Sequence, residues 1–118
     1  MELIIGGIGQ GKLRYALASS GLDEAAVTYD PTVPRPIFAG LETWLKTHDD
    51  PMPALEALIA ACPEVRILCA EVGSGVVPMD KGERVWRERV GRTCCHLAEA
   101  ACKVTRLYCG IPSVIKGE

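Results

Sequence analysis

Apolar and polar positions along this chain follow two periods, one of two residues and one of three to four. Residues 2–5 (ELII) form a short apolar run that ends in glycines, and residues 12–20 (KLRYALASS) place Leu13, Ala16 and Leu17 at helical spacing with Gly21 beyond them as a stop. The spacing predicts strand, Gly-rich loop and helix in that order. Residues 25–29 (AAVTY) read as a weak second strand. In the DPTVPRP stretch that follows, three prolines within six residues exclude helix and favour an extended loop.

From Gly40 the helical period returns, with Leu41, Trp44 and Leu45 on one face, and THDDPMP interrupts it. A second helix is predicted over 53–62, with Leu55, Leu58 and Ile59 inward and Pro53 suited to its first turn. Residues 65–70 form a β-type run that ends at Glu71, where the chain meets Gly73 and Gly75. A long helix over roughly 81–102 follows. It carries Trp86, Val90, Cys94, Leu97 and Ala101 on one line, with Arg84, Arg87, Arg89 and Arg92 mostly off it. The last predicted strand, 104–109, ends at Gly-Ile-Pro. No repeat, low-complexity tract or linker divides the chain, so residues 1–118 read as a single nucleotide-binding domain once the loop chemistry below is added.

Strands alternating with helices predict an α/β layer fold with a small, mostly parallel sheet of three or four strands. Ligands of such sheets bind beyond the carboxyl ends of the strands, where both Gly-rich stretches, 6–11 and 73–75, are expected to face one pocket.

Composition narrows the function classes. A chain of 118 residues is long enough to bury roughly two-thirds of the surface its unfolded form exposes. A net charge of -2 leaves no basic excess for nucleic acid, which is not an expected partner. No apolar run approaches the roughly 18 residues that span a bilayer, and MELIIGG lacks the basic start of a secretory signal. No membrane association and a cytoplasmic location are therefore expected. In a reducing compartment the six cysteines read as small core side chains. Cys94, Cys95 and His96 are consecutive, about 100° apart around a helix, and so do not converge on one metal ion. No metal-ligating set is predicted.

The Gly6–Lys12 stretch carries the chemistry. Its glycines allow positive φ angles and close backbone approach, so successive N–H groups point into one concavity that binds anions. The helix start near Lys12 adds partial positive charge, and the Lys12 ammonium reaches β- and γ-phosphate oxygens. Gly-x4-Gly-Lys is normally followed by Ser or Thr, whose hydroxyl ligates Mg²⁺; here Leu13 stands in that place. Anion binding depends on none of Leu13's atoms, whereas metal-assisted transfer then needs Asp30, Glu71 or water as a ligand.

GGIGQGKLRYA, together with AEVGSGVVPMDKGERVWRERVGRTCCHLAEAACKVTRLYCGIPSVIK, resembles the adenosylcobinamide kinase / adenosylcobinamide-phosphate guanylyltransferase family. The counterparts of the family's motifs are Gly6, Gly7, Gly11 and Lys12, then 71–78, then Gly91 and Arg92, then 110–112 with Lys116. The resemblance implies a P-loop (RecA-type) three-layer fold, a homo-oligomer, and use of GTP or ATP, with Mg²⁺, to phosphorylate adenosylcobinamide and attach GMP in cobalamin biosynthesis. It implies a nucleotide-binding set of Gly6, Gly7, Ile8, Gly9, Gln10, Gly11, Lys12 and Leu13, with Gly73 and Arg92 from the later blocks.

Four departures set this chain apart from the family pattern. Leu13 replaces the hydroxyl residue, Ala70 replaces an Asn, and the missing length includes a middle strand bearing an acidic residue of Walker-B character. The family's guanylylated histidine precedes an Arg-Pro followed by Trp; Arg35, Pro36 and Trp44 echo that segment, but Asp30 is what precedes them. His48, beyond Trp44, takes the nucleophile role only in a shifted register, with a ring nitrogen that attacks phosphorus and leaves as a protonated phosphoramidate. Glu71, at a strand end beside a Gly loop, is the candidate to hold Mg²⁺ or orient a hydroxyl. Glu71 and His48 are thus the catalytic candidates. The alternative is a non-catalytic paralogue that binds nucleotide or corrinoid as a regulatory or assembly subunit.

Overall fold

Leu3 and Ile4 are neighbours on strand β1 (Glu2–Gly6), yet each is buried in a different core. That is the consequence of a period-2 strand covered by helices on both faces. The computed structural model describes residues 1–72 and 80–117. Besides β1 the sheet contains β2 (Val27–Thr28), β3 (Ile37–Phe38), β4 (Arg66–Ala70), β5 (Lys103–Tyr108) and β6 (Ile111–Lys116). The strand order is β2-β3-β4-β1-β5-β6, parallel throughout except for the last pair.

The helices are α1 (Lys12–Ser20), α2 (Leu41–Trp44), α3 (Met52–Ala61) and α4 (Lys81–Ala100). On one face Leu3, Phe38, Ile67, Cys69 and Val104 pack with Leu41 and Leu45, with Leu55 and Leu58 of α3, and with Val90 and Leu97 of α4. On the other, Ile4, Ile37, Leu68 and Leu107 pack with Ala16, and Leu13 and Leu17 of α1 lie partly buried against them. The result is a three-layer α/β fold of P-loop type with a mostly parallel sheet, as the order of elements predicts.

Six strands replace the three or four expected. β3 has only two residues, between Pro36 and Gly40, too short to display any alternation. β6 escapes detection because all six of its residues are exposed, so no buried face imprints a pattern. It returns antiparallel to β5 through a two-residue turn, Cys109 (φ 52°) and Gly110 (φ 77°). Both turn residues are left-handed, the geometry that matches strand twist in tight hairpins. Lys116 then donates to the carbonyls of Ala98 and Glu99, each at 2.9 Å, and so meets the last-turn acceptors of α4.

Smaller corrections have local causes. Residues 24–26 form a 3-10 turn capped by Asp23, whose carboxylate accepts from the Ala25 amide at 3.0 Å, so the second strand starts only at Val27. The long helix ends at Ala100, and Ala101 is buried just beyond it. The cysteines are all free, and the core expectation holds for Cys69, with Cys62 and Cys94 half-buried; Cys95, Cys102 and Cys109 are exposed. They fall on the outer face of α4, ahead of β5 and in the hairpin turn.

Candidate functional site

The Gly-rich loop leaves the carboxyl end of β1, in the middle of the sheet, and enters α1. Gly6 is required there because a Cβ would stand 2.8 Å from the carbonyl oxygen of Leu107 on β5. Gly11, at φ 87°, turns the chain into the helix without any side-chain cap. The first helical bond runs from the Tyr15 amide to the Gly11 carbonyl at 2.9 Å. The amides of Lys12, Leu13 and Arg14 precede it and have no intrahelical acceptor, so this helix start presents the free donors that an anion would need.

Three further contacts set the loop's shape. The Gln10 amide donates to the Gly7 carbonyl at 3.3 Å, and the Lys12 ammonium curls back to the same carbonyl at 2.9 Å. Gln10 also docks the loop on the β5–β6 turn: its main-chain carbonyl accepts from the Gly110 amide at 3.1 Å, and its side-chain carbonyl accepts from the Cys109 amide. Ile8 projects into solvent, 84% exposed.

Beside the loop lies a cleft of about 300 Å³. Gly9, Gly11, Lys12, Leu13 and Arg14 form one wall; Tyr29, Ala39, Gly40, Glu42 and Leu68 form the other. Arg14 makes no hydrogen bond or ion pair among the described residues, so two cations, Lys12 and Arg14, face one opening. Among the described residues Glu42 is the only carboxylate lining it. Its Oε1 accepts from the Ala70 amide at 2.9 Å, and Ala70 pairs with Gly6 in the sheet register. Two bonds hold α2 in that position: Trp86 Nε1 donates to the Glu42 carbonyl at 2.7 Å, and Arg89 donates to the Leu45 carbonyl at 2.6 Å.

Residues 37–115 match the family model described as cobinamide kinase / cobinamide phosphate guanyltransferase, well over half of the chain. The chain belongs to that family. The matched segment starts at Ile37, so the Gly6–Lys12 loop stands outside it. No curated protein matches the chain.

Within this cobinamide kinase / guanyltransferase relative the candidate residues separate. Gly9, Gly11, Lys12 and Leu13 line the cleft, while Gly6, Gly7 and Gln10 shape the loop behind it. Gly73 lies outside the described residues, and with it the expectation that both Gly-rich stretches share a pocket. Arg92 is on the exposed side of α4 and does not line the cleft. Of the other arginines expected on a solvated face, Arg87 pairs with Glu83 at 3.3 Å, and Arg89 instead joins α4 to α2.

Glu71 is held elsewhere, in a two-point ion pair with Arg106. Asp30 sits in a tight turn, its Oδ1 accepting from the Thr32 amide at 2.9 Å and the Thr32 hydroxyl at 2.7 Å. Those two bonds, with a smaller contribution from the His48 charge, hold the Asp30 carboxyl below its usual range. His48 is exposed and stacked on Trp44, ring centroids 4.1 Å apart and 14° from parallel. Its Nδ1 lies 2.8 Å from the Trp44 carbonyl, an acceptor only, so Nδ1 is the donor in that bond. It does not line the cleft.

Next to Glu42, the Cys69 thiol is pushed far above the ordinary range by its hydrogen bond with Cys94, by burial, and then by the Glu42 carboxylate; Lys12 opposes this. Cys69 therefore stays a neutral core thiol. No cluster of three or more metal-ligating side chains occurs among the described residues, and none of their helices is long and apolar enough to cross a membrane.

Sequence reasoning missed Arg14, Tyr29 and Glu42. A usable signal existed for Glu42: Ile37 to Glu42 repeats the strand, glycine and helix order of the phosphate loop, with a carboxylate in the first turn.

Proposed function

We propose that this chain binds GTP or ATP on the Gly6–Lys12 loop and serves phosphoryl or nucleotidyl transfer to adenosylcobinamide or its phosphate in cobalamin biosynthesis. One observation carries the reading. The uncapped first turn of α1, Lys12 and Arg14 meet in a single cleft, in a member of a family named for cobinamide phosphorylation and guanylyl transfer. Amides at a helix start and paired cations suit the β- and γ-phosphates. Calorimetry with GTP, ATP and GMP, with and without Mg²⁺, tests it. Micromolar to millimolar binding of a triphosphate is expected, and no binding at millimolar concentration overturns the reading.

A second reading has its own support. Among the described residues no histidine lines the cleft, and the Leu13 side chain supplies no metal ligand. Under it the chain binds nucleotide or a corrinoid as a regulatory or assembly subunit without transfer. Incubation with labelled GTP separates the two, because a covalent GMP adduct at His48 Nε2 or elsewhere removes the non-catalytic reading.

The proposed assembly is a homo-oligomer. The edge strand β6 supports it, with Ile111 69% and Ile115 60% exposed on an unpaired edge. Sedimentation at micromolar concentration checks this, and a monomer under those conditions counts against it.

A further inference from the structure

Glu42 is half-buried in a cleft whose other charged groups are cationic, and no cation pairs with it among the described residues. Lys12, on the opposite wall, donates to Gly7 instead. Oε1 is committed to the Ala70 amide at 2.9 Å; Oε2 has only the hydroxyl of the neighbouring Thr43, at 3.3 Å. One carboxylate oxygen is therefore fixed and the other is open. Taken alone, such a charge repels a phosphate chain that the opposite wall is built to attract.

A divalent cation removes the conflict. Mg²⁺ is held by one or two carboxylates together with phosphate oxygens and waters, and it bridges and neutralises the β- and γ-phosphates when bound. The donor set of this cleft fits: the hard carboxylate of Glu42 lines it together with Lys12 and Leu13, while the loop itself offers no hydroxyl. The two other carboxylates considered are engaged, Glu71 by Arg106 and Asp30 by Thr32.

We infer that Glu42 is the residue that positions Mg²⁺ on the bound triphosphate in this chain, through Oε2 directly or through one water, in place of the missing loop hydroxyl. The inference rests on the nucleotide-binding reading above. The position is not fixed by local sequence alone. It is created by the Ala70 amide, 28 residues away, and by the Trp86 bond that anchors α2.

Glu42→Gln is the discriminating variant, because an amide oxygen still accepts from Ala70 while the charge is gone, so the fold is retained; an unchanged melting curve checks that. GTP and ATP affinities are measured for both proteins with and without Mg²⁺, and Mn²⁺ in the ternary complex is followed by electron paramagnetic resonance. The expected result is a Mg²⁺ enhancement of affinity in the wild type of about tenfold, the size typical of coupled sites, that disappears in Glu42→Gln while Mg²⁺-free affinity is equal or higher. The bound Mn²⁺ signal should disappear with it. Retention of the enhancement and signal in Glu42→Gln, or their absence from a wild type that binds triphosphate, overturns the inference alone. Absence of any triphosphate binding overturns the nucleotide reading and this inference together.

Discussion

Glu71 and Arg106 form a fork-to-fork ion pair, with Nε 2.7 Å from Oε1 and Nη2 3.0 Å from Oε2. It joins the end of β4 to β5 across the intervening β1. The Arg106 side chain is 50% exposed, so solvent screens the pair despite its good geometry. Arg106→Met should lower stability by about 1 kcal/mol or less, with the loss shrinking in high salt. Urea denaturation at two ionic strengths checks this, and a salt-independent loss means that packing rather than charge holds the two together.

Lys12→Ala should cut triphosphate affinity by about 1.5–3 kcal/mol, the range for hydrogen bonds to charged groups. Among the described residues its one side-chain hydrogen bond is to the Gly7 carbonyl, so the melting temperature should hardly move. Calorimetry beside a thermal scan separates the two effects. Unchanged affinity would sink the loop as the phosphate site.

Gly6→Ala is expected to destabilise by about 1–3 kcal/mol, the usual cost of overpacking. The new methyl would lie 2.8 Å from the Leu107 carbonyl, and two hydrogen-bonded strands would have to separate to admit it. Chemical denaturation gives the number directly.

Leu13→Ser should do two opposite things. It should cost about 1–2 kcal/mol of stability, since Leu13 packs partly against the Ile4–Leu68 core. It should also raise the Mg²⁺ dependence of triphosphate binding by restoring a hydroxyl ligand. An unchanged dependence means the metal is held wholly elsewhere in the cleft.

Thr32→Val should raise the Asp30 pKa part of the way back, because the hydroxyl donor is lost and the Thr32 amide donor remains. The folded-state pKa of Asp30 is depressed, so its contribution to stability is present above the ordinary aspartate range and lost as pH falls through the lower folded value. NMR titration of the Asp30 carboxyl in the two proteins measures the difference.

Much of this fold was legible because local rules and tertiary packing agree. Helices α1, α3 and α4 fall within a few residues of their apolar periods, and β1 and β4 follow from apolar runs ending at the loop glycine and at Glu71. β3 was not legible, since two residues carry no period, and β6 was not, since an edge strand with no buried face carries no pattern. The Cys109–Gly110 turn lacks the Asn-Gly or Asp-Gly that announces a tight hairpin.

The phosphate loop was readable as chemistry for a different reason. The groups proposed to hold phosphate are backbone amides, a helix start and one lysine, all within seven consecutive residues. The second wall of the cleft has no such continuity. Glu71 looked like the working carboxylate by its place at a strand end, and only the approach of β5 brings Arg106 against it. Glu42 was not among the candidates read from the sequence, and the docking of α2 on α4 and on the Ala70 amide holds it in the cleft beside the loop.

The sequence by itself determined the family, the layer order and the place of the Gly-rich loop between β1 and α1, because each is encoded in contiguous residues whose backbone preferences and hydrophobic spacing act locally. The tertiary structure alone decided which carboxylate and which cations line the cleft beside the loop and which strands form the edges of the sheet. Those depend on side chains tens of residues apart, brought within hydrogen-bonding distance by the parallel register of β4, β1 and β5.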